Sequence, residues 1–235
     1  MRRFSLPPLP PMARREWVLG CLFIPFHAIV LPVILVWVLG ALGIAMSSPH
    51  IMLLWYTLSF IFILAIMFNY LRNSFSDMCR NFAGTLLSVI MGYLAYRALF
   101  VAAMVFLGRF MLAANPNTDA VASSVRVNFS VMAVVAVVLA PIVEEAVFRG
   151  ALFGTLRRKN RFLAYAVSAA AFGLYHLVGS LLFGGGFDWS ILLLAIQYVP
   201  ASIALAWCFE RSGTIWSPIL LHAGINLLGV WQFRT

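Results

Sequence analysis

Glu144, Glu145 and Arg149 stand inside an apolar run from Phe129 to Leu156 that is long enough to cross a bilayer. Each ionisable side chain at the centre of such a span costs roughly 3 kcal/mol to insert, so three together require a use. Adjacent glutamates on a helix point about 100° apart and can hardly share one job. Glu145 and Arg149 are spaced i,i+4 with the acid first, the favourable order for a helical ion pair. That pairing leaves Glu144 without a partner on its own helix. Pro141 cannot donate to the Val137 carbonyl, so the helix is expected to loosen there and admit polar groups or water beside Glu144. The structural alternative is a buried ion pair with a spare acid that stitches helices together.

The chain has four histidines, His27, His50, His176 and His222. His50 falls between spans and His27 lies near the cytoplasmic end of the first span beside Pro25, both in expected structural or interfacial roles. His176 and His222 lie inside apolar spans, and Asn226 follows His222 by one helical turn on the same face. Counting from the cytoplasmic ends places Glu144 about 18 Å, His176 about 21 Å, His222 about 11 Å and Asn226 about 17 Å deep. Four polar side chains from three helices thus share one layer of the membrane, which stray polar residues have no reason to do.

A carboxylate and an imidazole across a wet pocket can together deprotonate water, and a second imidazole with a carboxamide can donate to an oxyanion. Glu144 with His176 is then the water activator, and His222 with Asn226 the oxyanion site, for amide hydrolysis inside the bilayer. No serine or cysteine has a compelling partner, Ser168 being two turns from His176 and Cys208 near the cytoplasmic face. The rival is zinc held by Glu144, His176 and His222, a known ligand set. Against it, the chain lacks HExxH, and the Asn226 carboxamide is a poor zinc ligand but a good donor. Arg97, in mid-span, is expected to line the cavity and meet Glu145 or a substrate carboxylate, or else to pair with backbone carbonyls.

The elements that must position these groups follow from composition. The chain of 235 residues is 63% hydrophobic and 10% charged, far from the near-half apolar and quarter charged of soluble domains. It reads as an all-α polytopic transmembrane bundle. Seven spans are expected: Trp17–Met46, Ile51–Leu71, Ala83–Leu112, Asn128–Leu156, Phe162–Phe183, Trp189–Phe209 and Ile215–Phe233. The breaks carry turn or charge signals at 47–50, 72–81, 114–119, 157–161, 184–188 and 210–213, the triple glycine at 184–186 reading as a loop rather than a phosphate cradle. Basic residues gather in alternate loops, which places the N-terminus in the cytoplasm and the C-terminus outside. The net charge of +9 therefore points to topology and anionic lipid heads, not to nucleic acid. Three cysteines without CxxC spacing argue against a disulfide framework or a cysteine metal site. The expected organisation is a basic, proline-rich solvated tail (1–16), three N-terminal spans (17–127) and a four-helix catalytic core (128–235).

Three motifs carry a resemblance: Glu144-Glu145-Ala146-Val147-Phe148-Arg149, Phe172-Gly173-Leu174-Tyr175-His176 and His222-Ala223-Gly224-Ile225-Asn226. In order and spacing they are similar to the EExxxR, FxxxH and HxxxN of the CPBP family. That family joins eukaryotic CAAX prenyl endopeptidases to bacterial bacteriocin-processing and immunity proteins. The resemblance covers residues 128–227 and implies an intramembrane glutamic endopeptidase that needs no metal. It implies Glu144 as base with His176, His222 with Asn226 at the oxyanion, and Glu145 and Arg149 in support. Phe172 is expected to pack and fix His176. The prenyl endopeptidases have eight spans against the seven read here, so lipid-side entry of substrate is expected to differ. The expected setting is a bacterial cytoplasmic membrane, with lipids and a membrane-associated peptide or protein substrate as partners and no cofactor. A non-enzymatic scaffold or immunity protein is the reading from another class. A proton-relaying transporter is weaker, since no internal repeat supports it.

Overall fold

The computed structural model describes residues 7–110, 115–183 and 189–234. The glycine-rich stretch 184–188 lies outside the described residues. Among those described there is no strand, and eight helices follow one another. They are α1 (Arg14–Ala41), α2 (Ser48–Arg80), α3 (Phe82–Leu107), α4 (Pro116–Val127), α5 (Phe129–Arg157), α6 (Arg161–Phe183), α7 (189–212) and α8 (Trp216–Gln232). Six are long and apolar enough to span a membrane. The seventh expected span, α8, has 17 residues; at 1.5 Å per residue it covers about 26 Å, a little less than the hydrocarbon core. The chain is an integral membrane protein.

Two boundaries differ from the sequence reading. The polar stretch 72–81, read as a loop, continues α2 as helix to Arg80. Its apolar run ends at the membrane surface, but nothing in it breaks a helix; the break comes at Asn81, whose side chain caps α3 by accepting from the Gly84 N–H. The break expected at 114–119 contains the start of a short helix, α4, with Asn115 as its cap and Pro116 in its first turn. The N-terminal tail is not solvated throughout. Pro10 is buried, and Leu9 and Met12 pack against the core.

One apolar core ties the bundle together: Phe23 of α1, Ile63 and Met67 of α2, Val143 and Phe148 of α5, Phe172 of α6, Leu205 of α7 and Leu221 of α8 belong to one buried cluster. Gly20 lets α1 lie directly on α5, since a Cβ there would sit 2.8 Å from the Ala151 Cβ. Many large apolar side chains, such as Leu22, Trp37, Val105 and Phe162, face outward. Lipid tails are as apolar as these side chains, so such exposure carries no penalty. At one end of the bundle, Glu210 of α7 accepts from Arg157 of α5 and from Arg161 (2.8 Å) and Tyr165 (2.9 Å) of α6. Those basic residues belong to the end that the charge pattern assigns to the cytoplasm.

Prolines loosen two helices at corresponding places. In α1 a π-helical turn, Phe26–Val30, ends two residues before Pro32; in α5 another, Val135–Leu139, ends two residues before Pro141. A ring without an N–H leaves a carbonyl one turn earlier unpaired, and widening the turn accommodates the ring. A second π-helical stretch, Ala146–Phe153, follows Glu145 directly. The expected loosening beside Glu144 is therefore present on both sides of it.

Candidate active site

Glu144 and Glu145 are both buried, yet their surroundings differ completely. Glu145 Oε1 accepts from Arg149 Nη1 at 2.8 Å and from Nδ1 of His222 at 2.8 Å. Arg149 has no exposed surface; its guanidinium lies 4.3 Å over the Phe172 ring and reaches the Ser202 carbonyl at 3.4 Å. The i,i+4 pair thus joins α5 to α6, α7 and α8 as well as neutralising its own charges.

Glu144 turns its other way. Its Oε1 accepts from the Tyr56 hydroxyl of α2 at 2.8 Å and, more distantly, from Tyr175 of α6 at 3.4 Å. Its Oε2 has no hydrogen-bond partner among the described residues. That oxygen lies 4.0 Å from Nε2 of His176 and 3.9 Å from Nε2 of His222. These separations are too long for direct hydrogen bonds and suit one small oxygen-bearing group between the three atoms.

Both imidazoles are held by their other nitrogen. Nδ1 of His176 lies 2.8 Å from the Phe172 carbonyl; a carbonyl only accepts, so Nδ1 carries a hydrogen and Nε2 of the neutral ring presents a lone pair. Nδ1 of His222 donates to Glu145, which aims its Nε2 at Glu144. The Tyr198 ring of α7 stacks on His176 at 4.3 Å, with its hydroxyl held by Asn115, the cap of α4, and by Asn117 in its first turn. Gly173 permits this: a Cβ there would meet the Ala195 carbonyl oxygen at 2.9 Å, so only glycine lets α6 and α7 touch at this level.

The structure thus brings Glu144, His176 and His222 together, with Glu145, Arg149 and Phe172 behind them. Asn226 makes a bond that the sequence did not foretell. Its Nδ2 donates to the Ala136 carbonyl at 2.8 Å. In the π-helical turn the bond to that carbonyl would come from residue 141, which is proline. Asn226 mends the carbonyl that Pro141 leaves open, and one N–H of its amide remains for another acceptor. Arg97 does not line this cluster. It is exposed on α3 and makes no hydrogen bond or ion pair among the described residues, while Glu145 takes Arg149 and His222 instead.

Three groups at the site escaped the sequence reading. Tyr56, Tyr175 and His27 connect to Glu144, His27 being buried rather than interfacial, with Nε2 2.9 Å from the Tyr175 hydroxyl. Tyr175 sits inside the FxxxH motif beside His176, which was the available signal; Tyr56 had none, as one tyrosine in an apolar span.

A zinc ion bound tetrahedrally would bring its nitrogen and oxygen ligands to about 3.3 Å from one another, closer than the 3.9 and 4.0 Å found here. Among the described residues no group of three His, Cys, Asp or Glu is placed to hold a metal.

Buried acids and histidines converging inside a helical membrane bundle define the class to which the comparisons point. Residues 126–228 match the family described as type II CAAX prenyl endopeptidase Rce1-like. That match covers the stretch in which the three motifs lie and agrees with the resemblance read from them. The chain is 31% identical to "Putative membrane peptidase YdiL" of Bacillus subtilis over 48% of its own length and 41% of that protein. It is 35% identical to "UPF0177 protein YaiF" of Lactococcus lactis over 39% of its length and 35% of that protein. It is 26% identical to "UPF0177 protein YxdF" of the same species over 39% of its length and 44% of that protein. The aligned region therefore spans less than half of each of these curated relatives. No solved structure matches the chain.

Proposed function

We propose that this protein is an intramembrane endopeptidase of the glutamic type, acting without a metal on a membrane-associated peptide in a bacterial cytoplasmic membrane. The observation that carries the reading is the convergence of Nε2 of His176 and Nε2 of His222 on the unpartnered Oε2 of Glu144, at 4.0 and 3.9 Å. A water between these atoms donates one hydrogen to Oε2 of Glu144 and the other to the lone pair of His176. Both acceptors draw proton density from it, and its oxygen attacks the scissile carbonyl carbon. The proton moves to Glu144 and is later delivered to the leaving nitrogen, so the carboxylate is regenerated. His222 is the candidate oxyanion donor: Glu145 holds its Nδ1, and a hydrogen on Nε2 would point at the developing oxyanion. The free N–H of Asn226 is the second candidate donor, and its bond to Ala136 fixes α8 against α5.

The family name supports a lipidated CAAX-type tail as the first substrate to try, alongside an apolar peptide of the same sequence without the prenyl group. Purified protein in liposomes is expected to cleave one of these two quenched peptides. Glu144→Gln should lower kcat by about 10²-fold or more, and a zinc chelator should leave the rate unchanged. Wild-type protein that cleaves neither peptide, or a Glu144→Gln variant as fast as wild type, ends the reading. Loss of activity with chelator, restored by zinc, transfers it to the metal mechanism.

A further inference from the structure

A line of five close contacts leads away from the site into the first two helices. It runs from Oε1 of Glu144 to the Tyr56 hydroxyl (2.8 Å), to the Tyr175 hydroxyl (2.8 Å) and to Nε2 of His27 (2.9 Å). From Nδ1 of His27 it continues to Oγ of Ser59 (2.8 Å) and to the Trp55 carbonyl (2.8 Å). Both ends, a carboxylate and a carbonyl, can only accept. The groups between them supply four hydrogens, one each from Tyr56, Tyr175, neutral His27 and Ser59. Four hydrogens cannot occupy five links, so with Glu144 ionised and His27 neutral one link is empty. One added proton, on Oε1 of Glu144 or on His27, fills every link at once.

From this we propose that Tyr56, Tyr175 and His27 are positioning residues forming a proton relay for Glu144: the line stores the proton taken from water and returns it for the leaving nitrogen. This rests on the role given to Glu144 above. In balance, the water O–H bond breaks and its proton passes to the Glu144 carboxylate. The carboxyl group then turns about its Cγ–Cδ bond to bring that proton from the Oε2 side to the Tyr56 side, and it passes to Tyr56 as Tyr56 gives its own to Tyr175 and Tyr175 gives its own to Nε2 of His27. Both phenols end neutral and His27 becomes an imidazolium. The reverse sequence restores the acid on Glu144, which protonates the departing amine. Oε2 faces the two catalytic imidazoles while Oε1 faces the line, so one carboxylate joins the two.

The charged and titratable groups around this line are few. Glu144 is faced by Tyr56 from α2, by Tyr175 and His176 from α6 and by His222 from α8, with Glu145 and Arg149 nearby on its own helix and Tyr198 from α7. His27 is enclosed by the rings of Phe23, Trp55, Tyr56 and Tyr175 and bonds no charged side chain among the described residues.

The test uses the full chain in liposomes with the cleaved peptide found above, and also a measurement that needs no substrate. Tyr56→Phe and Tyr175→Phe each remove one oxygen and retain the ring. Each is expected to lower kcat roughly tenfold with KM unchanged and to alter the acid side of the pH–rate profile. Unchanged kcat and profile in both, with cleavage still lost in Glu144→Gln, overturns the relay alone; cleavage retained in Glu144→Gln overturns the reading beneath it. Without substrate, 15N-histidine NMR in micelles follows His27, assigned by His27→Gln. Infrared spectroscopy follows the Glu144 carboxyl, assigned by Glu144→Gln. In wild type the two are expected to respond to pH in one shared step, and Tyr56→Phe should separate them. Independent steps in wild type overturn the proposal.

Discussion

Helices α3 and α5 are of similar length and apolar character, yet 6% of an 18-residue apolar stretch of α3 is buried in the bundle against 56% for α5. The difference decides what a charged residue does in each. Arg97 on α3 faces outward and bonds nothing among the described residues, whereas Arg149 on α5 is wholly enclosed and joins four helices. Hydrophobicity alone takes a segment into the membrane. It does not say whether the segment will face lipid or protein, because lipid and protein interior are nearly equivalent solvents for an apolar side chain.

The sharpest way to break this comparison is Arg149→Met. It leaves Glu145 buried without its guanidinium, and a loss of about 3–5 kcal/mol is expected by unfolding in detergent. The double variant Glu145→Gln with Arg149→Met should recover part of that loss, because no uncompensated charge remains. Equal losses in the single and double variants would mean that the ion pair itself, rather than the orphaned acid, carries the energy. A smaller effect is expected from Gly173→Ala, about 1–3 kcal/mol, since the added methyl meets the Ala195 carbonyl oxygen at 2.9 Å and a backbone cannot swing aside. Gly179→Ala, on the same helix with nothing within 4 Å of the new methyl, serves as its control. It should be neutral or gain up to about 1 kcal/mol of helix propensity. Least of all, Arg97→Leu on α3 should change stability by less than about 0.5 kcal/mol and leave cleavage intact. A large loss there would show that α3 has a partner after all.

The motif-bearing half of the site was legible in the sequence because its residues break a strong rule. Glu144, Glu145, Arg149, His176 and His222 are costly in a span, and helical spacing predicted the Glu145–Arg149 pair. Pro141 foretold the loosened turn that the structure shows as π-helix. What stayed hidden breaks no rule. Tyr56 and Tyr175 are ordinary membrane residues, and their meeting at 2.8 Å depends on how α2 packs against α6. Arg97 looked as anomalous as Arg149, and only packing separated them.

The chain by itself determined that these segments are membrane helices, where prolines loosen them and which buried acid has a local partner. Those are matters of side-chain transfer energy and of contacts within one or two turns. The tertiary structure decided that the second oxygen of Glu144 faces two imidazoles and the first faces Tyr56. It also decided that Asn226 mends the Ala136 carbonyl and that His27 of the first helix joins the site. Such pairings join residues up to 148 positions apart; distances of that kind are set by which helix faces lie together, a property that no local pattern contains.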